Sequence, residues 1–188
     1  MAAKVDNVMI ENATLLRGGF MNFSGRETQY NREGDRNFHV ALPKDLADDM
    51  LADGWNVKYL TPRDEGDEPQ AHIVVSVSFK GQRSPRCVLV KTGGQISITE
   101  GEVGILDWAE LSNVDLILRP YAWEVNGKTG IKAYLHSIYA TIAETELDVK
   151  YADTPVISRG PVQKQIGGSA SSDDEIVDAE LIDDVPWK

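Results

Sequence analysis

Two segments of alternating apolar and polar residues, separated by Asn126-Gly127, constrain the fold more than any other feature of the chain. Asp115–Val125 and Ile131–Ile142 both show the two-residue period that is typical of a β-strand. Asn-Gly favours the positive φ angles of a type I′ turn, which joins two antiparallel strands. The sequence therefore predicts a long β-hairpin.

The register of this hairpin separates its side chains into two faces. If Val125 pairs with Lys128 across the turn, one face is apolar and suits a barrel lining: it comprises Leu116, Leu118, Ala122, Ile131, Ala133 and Leu135. The opposite face is basic and aromatic, with Arg119, Tyr121, Trp123, Lys132, Tyr134 and His136. Basic groups bind phosphates, and each unpaired base that stacks on a ring contributes about 1–3 kcal/mol. We therefore expect this face, with Lys128 beside the turn, to bind a single strand.

The remainder of the chain up to residue 152 is also predicted to be mostly strand. Strand patterns cover Phe38–Leu42, Trp55–Leu60, Ala71–Phe79, Arg86–Thr92 and Gln95–Thr99. Gly93-Gly94 is a hairpin signal, while Pro43–Gly54 and Ile105–Leu111 have the markings of short helices. Many strands with one or two short helices predict a mainly β protein built on a small barrel.

The acidic residues are concentrated at one end of the chain. The formal net charge is −11, and Ser171–Lys188 contains seven acidic residues and one lysine, a net charge of −6. The preceding segment is rich in Gly, Ser and Gln and has too few apolar residues to offset the entropy of ordering. We predict a folded domain over residues 1–152, a flexible linker over 153–172 and a disordered acidic tail over 173–188.

Positive charge is clustered within the predicted domain, although an acidic protein as a whole is a poor ligand for phosphates. The segment Pro69–Thr99 has no acidic residue and carries Lys80, Arg83, Arg86 and Lys91. Earlier in the chain, basic and aromatic residues are interleaved as Phe20, Phe23, Arg26, Tyr30, Arg32 and Arg36. We expect the two clusters to form a basic face with the hairpin.

Patterns that would indicate an enzyme are weak. Ala122–Thr129 matches a permissive phosphate-loop pattern, which would use Gly127, Lys128 and Thr129 in a nucleotidase, but it contains bulky residues where small ones are needed. The three histidines are far apart and the one cysteine, Cys87, lies in a strand pattern, so we expect no metal site and no cofactor. We expect neither a signal peptide nor a membrane span.

The chain resembles the single-stranded DNA-binding proteins of bacteriophages. Its last residues, Asp183-Asp-Val-Pro-Trp-Lys188, resemble the acidic tip of bacterial and phage members. Phe20–Gly25, Gly34–Phe38 and the Asn126–Ile131 turn are similar to phage members that have an OB-fold. The resemblance implies an OB-fold-like barrel that coats single-stranded DNA in replication, recombination or repair, in the host cytoplasm and without catalysis. It also implies that the tail recruits replication or recombination proteins through Asp183, Asp184, Val185, Pro186 and Trp187.

Three alternatives remain open at this point. An acidic interaction protein, such as a DNA-mimic inhibitor, would explain the net charge but not the basic clusters. A preference for RNA and a homo-oligomer formed through exposed strand edges are both compatible with the pattern.

The charge distribution further predicts that the tail occupies the basic face until DNA displaces it, because the linker keeps the tail at an effective concentration of about 1 mM.

Overall fold

Ten strands form one sheet in the computed structural model, which describes residues 5–62 and 64–155. The first five are β1 (Val8–Ile10), β2 (Thr14–Leu15), β3 (Met21–Asn22), β4 (Arg36–Ala41) and β5 (Val57–Leu60). The later five are β6 (Gln70–Val77), β7 (Arg86–Lys91), β8 (Gly94–Ile98), β9 (Leu111–Val125) and β10 (Lys128–Ile142). Almost all described residues belong to one compact unit, Met1–Thr154. The predicted tail and all but the first three residues of the predicted linker lie outside the described residues.

The predicted long hairpin is confirmed as β9 and β10. Val125 pairs with Lys128, and the register continues as expected through Tyr121 opposite Lys132. Asn126 and Gly127 have φ angles of 52° and 76°, the positive values that a type I′ turn requires. The segment that matches the phosphate-loop pattern is therefore a strand, a tight turn and a strand, so that interpretation is wrong.

Strand β10 changes its neighbour along one edge at the position of a bulge. Leu135 pairs with Leu118 of β9 and Ser137 with Ile117, which leaves His136 as an extra residue. Before the bulge β10 pairs in parallel with β6 at Ala133 and Tyr134; after it, Ser137–Thr141 pair in parallel with β7. The end of β6 and the start of β7 therefore both lie next to the middle of the hairpin.

The sheet is mainly β as predicted, but it is not closed into a barrel. The strand path runs β1-β9-β10-β6-β4-β2, and its two end strands, β1 and β2, do not pair with each other. The link between them is held instead by hydrogen bonds in which Asn12 N donates to Asp115 Oδ1 (2.8 Å) and Ala13 N donates to Val114 O (2.7 Å). The segment that joins β1 to β2 therefore passes from the β9 side of the sheet to the β4 side without forming a continuous pair of strands.

The smaller hairpin of β7 and β8 is also present, with a turn one residue earlier than predicted. Lys91 pairs with Gly94, so the turn residues are Thr92 and Gly93 rather than Gly93 and Gly94. Gly94 has a φ of 134°, which other residues rarely adopt, and it opens β8. Cys87 of β7 is buried, and desolvation raises the pKa of its thiol to about 11.

The core is formed by the inward side chains of the long strands. Leu116, Leu118, Ala133 and Leu135 of the predicted apolar face are buried there, with Ile131 at its margin. Ala122, predicted to share that face, is exposed because the end of the hairpin extends beyond the strands that cover the rest.

The helices agree with the sequence patterns only in part. The predicted first helix is α1 (Lys44–Ala52), which buries Ala47 and Met50. The predicted second helix over Ile105–Leu111 is wrong: a 3-10 turn covers Val103–Asp107, and Leu111 already begins β9. An unpredicted helix, α2 (Glu146–Lys150), begins with a capping box between Thr145 and Asp148. No helix among the described residues is long and apolar enough to span a membrane.

Candidate nucleic-acid interface

The basic and aromatic face of the hairpin has the composition that the register predicted, and its side chains contact one another. We define the hairpin face as Arg119, Tyr121, Trp123, Lys132 and Tyr134. The rings of Tyr121 and Tyr134 meet edge to face with centroids 5.6 Å apart. Lys132 Nζ lies 5.2 Å from the centre of the Tyr134 ring, and Arg119 Cζ lies 6.0 Å from it. Cations held beside exposed rings can bind a phosphate while a base stacks on the ring.

One side of the hairpin face continues into a groove next to β4 and β6. This Arg36 groove, of about 380 Å³, is lined among others by Arg36, Phe79, Lys80, Lys132 and Tyr134. The Arg36 guanidinium lies 5.7 Å from the centre of the Phe79 ring. Lys132 and Tyr134 therefore belong both to the hairpin face and to the Arg36 groove, so the two surfaces are continuous.

The Arg36 groove contains acidic side chains as well as basic ones. Arg36 Nη1 donates to Glu100 Oε1 at 2.8 Å, and Asp35 also lines the groove. Arg36 Nε is buried and has no hydrogen-bond partner among the described residues. A carboxylate on Arg36 occupies the position that a phosphate oxygen would take, so a nucleic-acid phosphate would compete with Glu100 for this guanidinium.

The opposite side of the hairpin face continues into a second groove. This Arg86 groove, of about 520 Å³, is lined by Arg83, Arg86, Arg119 and His136 together with Val5, Asn7, Ser84 and Pro120, and none of these described residues is acidic. Arg86 also lies over the Tyr139 ring at 5.6 Å. Because Arg119 contacts Tyr134 as well, the hairpin face connects the two grooves into one basic and aromatic surface.

Trp123 occupies a special position at the outer end of the hairpin face. It pairs with Gly130 of β10, and a Cβ atom on Gly130 would lie 2.9 Å from Trp123 Cζ2 and 2.6 Å from Asn56 Oδ1. The indole therefore lies across the bare backbone of Gly130 and is half-buried. Glycine at residue 130 is required by this close approach rather than by its backbone angles.

Two aromatic residues predicted to contact DNA are located elsewhere. Phe23 has an exposed fraction of 0% and stacks on Phe38 with ring centroids 4.6 Å apart, so the prediction that it binds a base is wrong. It belongs to the core because the turn directly after β3 places its ring against Phe38. Phe20 is half-buried and packs edge to face on His39 at 5.1 Å and on His72 at 6.5 Å, apart from the hairpin face.

The remaining predicted residues are exposed but are not brought into the two grooves. Lys128 is at the hairpin tip, and Tyr30 and Arg32 lie in the loop between β3 and β4. Lys91 is at the end of β7, where hydrogen bonds from Thr92 and, less strongly, the charge of Lys91 lower the pKa of Glu144. Arg26 lies over the ring of Trp108 at 4.8 Å.

Sequence reasoning missed four residues of this surface or its surroundings: Phe79, Glu100, Trp108 and Tyr139. Phe79 continues the apolar alternation of β6, but the strand ends at Val77 and the ring is only half-buried. Trp108 lies within the predicted helix over Ile105–Leu111, whereas the 3-10 turn of the structure ends before it. A signal for Phe79 existed in the run Ser78-Phe-Lys-Gly81, whose small residues and glycine indicate the end of a strand.

His72 is buried and His39 is half-buried where β4 pairs with β6. The rings of His39 and His72 stack with centroids 5.2 Å apart, which places them face to face. No group of three or more metal-binding side chains occurs within residues 5–62 and 64–155. Burial, His72 and Lys58 lower the pKa of His39 to about 4, and burial is also the main cause that lowers the pKa of His72.

Comparisons with solved structures concern the fold. The fold is similar to that of the single-stranded DNA-binding protein from bacteriophage Enc34 in complex with ssDNA, with 12% identity, 74% of this chain and 88% of that chain covered, and a TM-score of 0.50. It also matches gp2.5, a single-stranded DNA-binding protein encoded by bacteriophage T7, with 13% identity, 88% and 100% coverage, and a TM-score of 0.36. No curated protein sequence matches the chain.

The family comparison covers far more of the sequence than any single motif does. The model of the phage ssDNA-binding domain matches residues 1–186, which include the whole sheet, the hairpin face and both grooves. The chain therefore belongs to the phage ssDNA-binding domain family.

Proposed function

We propose that this protein binds and coats single-stranded DNA during phage replication, in the cytoplasm of the host cell. The observation that carries the proposal is the surface formed by the hairpin face and the two grooves, where basic groups and aromatic rings alternate. Family membership supports the same function. The similar Enc34 protein, whose structure is in complex with ssDNA, shares the fold.

The geometry supports a binding mode without strong sequence preference. Tyr121 and Tyr134 offer rings on which any base can stack, because every base has a flat face. Arg83, Arg86 and Arg119 offer three guanidinium groups to consecutive phosphates along the Arg86 groove. A protein that covers whatever strand is exposed needs this combination of stacking and charge.

We propose that the protein acts by binding alone and that its acidic tail recruits proteins of replication, recombination or repair. Asp183, Asp184, Val185, Pro186 and Trp187 lie outside the described residues, and their role rests on the resemblance of the tail to the tips of related proteins. The flexible linker and the domain boundary near residue 152 belong to the same proposal. A basic pocket with an apolar floor on the partner would bind the acidic residues and Trp187 together.

The alternative of a DNA-mimic inhibitor is disfavoured by the placement of charge. A mimic would present acidic residues over its folded surface, whereas none of the described residues that line the Arg86 groove is acidic. More than half of the excess negative charge lies after residue 170 in the sequence.

The matched experiment compares two lysine–tyrosine pairs in which the lysine nitrogen lies at the same distance from the ring centre. Lys132 Nζ lies 5.2 Å from the Tyr134 ring in the hairpin face, and Lys150 Nζ lies 5.2 Å from the Tyr151 ring at the end of α2. We expect the double variant K132A/Y134A to bind a thymidine oligomer of about 30 nucleotides roughly 10- to 100-fold more weakly, because it loses one stacked base and one phosphate contact.

The control is the double variant K150A/Y151A, which should bind the oligomer like the wild type. Fluorescence anisotropy of labelled oligomer at two salt concentrations measures both, with circular dichroism to verify folding. Equal binding by the two double variants would contradict the proposed surface. Failure of the wild type to bind the single strand, or tighter binding to the matching duplex, would contradict the function itself.

A further inference from the structure

An exposed aromatic–guanidinium pair lies outside the hairpin face and both grooves. Arg26 Cζ is 4.8 Å from the centre of the Trp108 ring, and Trp108 is 72% exposed. Of the described tryptophans, Trp55 is buried and Trp123 is half-buried, so Trp108 presents by far the largest indole surface to solvent. An indole with a cation fixed beside it has the same chemistry as the hairpin face.

The pair is held in place by a hydrogen-bond network on one carboxylate. Asp107 Oδ1 accepts from Phe23 N at 2.7 Å, while Asp107 Oδ2 accepts from Ser24 N at 2.9 Å and from Ser24 Oγ at 2.7 Å. Arg26 Nε donates to the same Ser24 Oγ at 3.1 Å. The segments that carry Trp108 and Arg26 are thus fixed to each other before any ligand arrives, which lowers the entropic cost of binding.

A second guanidinium lies near the same segment. Arg17 Nη1 donates to Ala109 O at 3.2 Å, and Ala109 is the residue directly after Trp108 in the chain. Arg26 therefore lies over the indole, and Arg17 contacts the backbone next to it. A phosphate can pair with either while a neighbouring base lies on the ring.

The pair is continuous with the Arg36 groove through Gly25. Gly25 has a φ of 70°, and a Cβ there would lie 3.1 Å from Arg36 Cγ and 3.2 Å from Gly34 Cα. Gly34 and Arg36 both line the groove, and Arg26 is the residue after Gly25. A strand that leaves the groove along this loop therefore reaches the side of Arg26.

We propose that Arg26 and Trp108 form an additional stacking site for one unpaired base of the bound strand, with Arg17 and Arg26 as phosphate contacts. The inference rests on the proposed function, since it extends the same strand beyond the Arg36 groove. Trp108 supplies the stacking surface that Phe20 and Phe23, taken up by packing, do not offer.

The test is binding of the full-length protein to a thymidine oligomer of about 30 nucleotides, long enough to cover several stacking sites. Trp108→Ala should weaken binding by about fivefold or more, because one stacked base contributes at least about that factor. Trp108→Phe keeps a flat ring and should bind nearly as well as the wild type. Tyr151→Ala, which removes a 57% exposed ring beside Lys150, serves as the control and should have no effect.

The outcomes separate this site from the proposed function. Unchanged binding by Trp108→Ala, or an equal loss in Trp108→Ala and Trp108→Phe, overturns the stacking site, provided that the wild type binds and K132A/Y134A is weakened. Absence of binding by the wild type overturns the function instead. Circular dichroism and a denaturation midpoint verify that each variant is folded.

Discussion

At the scale of single residues, the outer end of the hairpin depends on one missing side chain. Gly130 has no Cβ, and the Trp123 indole and the Asn56 amide oxygen approach the space that a Cβ would fill. The two atoms come from β9 and from the segment before β5, so Gly130 links three parts of the chain. A glycine inside a strand weakens that strand. The close approach of Trp123 and Asn56 explains why a glycine is present at this position.

Gly130→Ala should therefore destabilise the domain by about 1–3 kcal/mol, the usual cost of overpacking, and should rotate Trp123 out of its position. Urea denaturation measures the stability. The difference in emission between Gly130→Ala and Gly130→Ala/Trp123→Phe, compared with the same difference in the parent, separates the signal of Trp123 from those of Trp55, Trp108 and Trp187 and reports the displacement of the indole. Gly127→Ala is the comparison at the neighbouring turn: it is strained by its φ of 76° but meets no atom within 4 Å. An emission maximum in Gly130→Ala identical to that of the parent would contradict the account of the close approach.

At the scale of elements, the pairing of β4 with β6 brings two histidines into contact. His39 of β4 and His72 of β6 stack with ring centroids 5.2 Å apart, and the Phe20 ring packs against both. The fold holds His39 neutral because burial, the neighbouring His72 and the charge of Lys58 all oppose protonation. Protonation of this ring is accordingly disfavoured as long as the two strands are paired.

This arrangement predicts that the stability of the domain falls as the pH is lowered from about 7 to about 5, above the range where carboxylates titrate. The pKa of His39 is about 4 in the folded chain and 6.5 ordinarily, so between these values the unfolded chain binds more protons. From about pH 7 to about pH 5 the wild type should lose about 1 kcal/mol through this ring, after allowance for its partial exposure. His39→Gln should lose less over the same interval, whereas His136→Gln, which changes an exposed residue, should behave like the wild type. Urea denaturation at the two pH values measures the difference; parallel losses in all three proteins would contradict it.

At the scale of the whole molecule, opposite charges are separated along the chain. The described residues that line the Arg86 groove include no acidic group, whereas residues after 172 carry seven acidic groups and one lysine. A protein with a net charge of −11 can present a positive surface to a polyanion when several basic groups lie together and more than half of the excess acid lies at the end of the sequence. We propose that the tail competes with DNA for that surface.

Removing the residues after Ser172 should therefore tighten binding to the thymidine oligomer by about two- to tenfold at low salt, and less at high salt, where both interactions are screened. A full-length variant with the seven acidic residues replaced by their amides is the matched control and should bind like the truncated chain. Anisotropy titrations at two salt concentrations measure all three proteins. An affinity and a salt dependence that do not change on truncation would contradict tail competition.

Much of the hairpin could be predicted because its determinants are local. The Asn126-Gly127 turn sets the register, and a period of two residues then assigns Arg119, Tyr121, Lys132 and Tyr134 to one face. The same alternation placed Leu118 and Leu135 in the core. These assignments need no knowledge of the neighbouring strands, since a tight turn admits a single pairing.

The errors occurred where packing between distant segments decides. Phe23 has the composition of a binding residue, but contact with Phe38 makes it part of the core. The pattern of Ile105–Leu111 predicts a helix that would include Trp108. The start of β9 at Leu111 excludes that helix. Periodicity does not distinguish a short helix from a 3-10 turn followed by a strand.

The sequence by itself determined the mainly β class, the long hairpin with its basic and aromatic face, and the concentration of acidic residues after residue 172, because turn chemistry, alternation and charge are properties of neighbouring residues. Only the tertiary structure decided that the sheet stays open between β1 and β2, that β10 pairs with β6 before the bulge at His136 and with β7 after it, and that the contact between Arg119 and Tyr134 joins two grooves. These features depend on contacts between segments far apart in the chain, whose geometry no local pattern encodes.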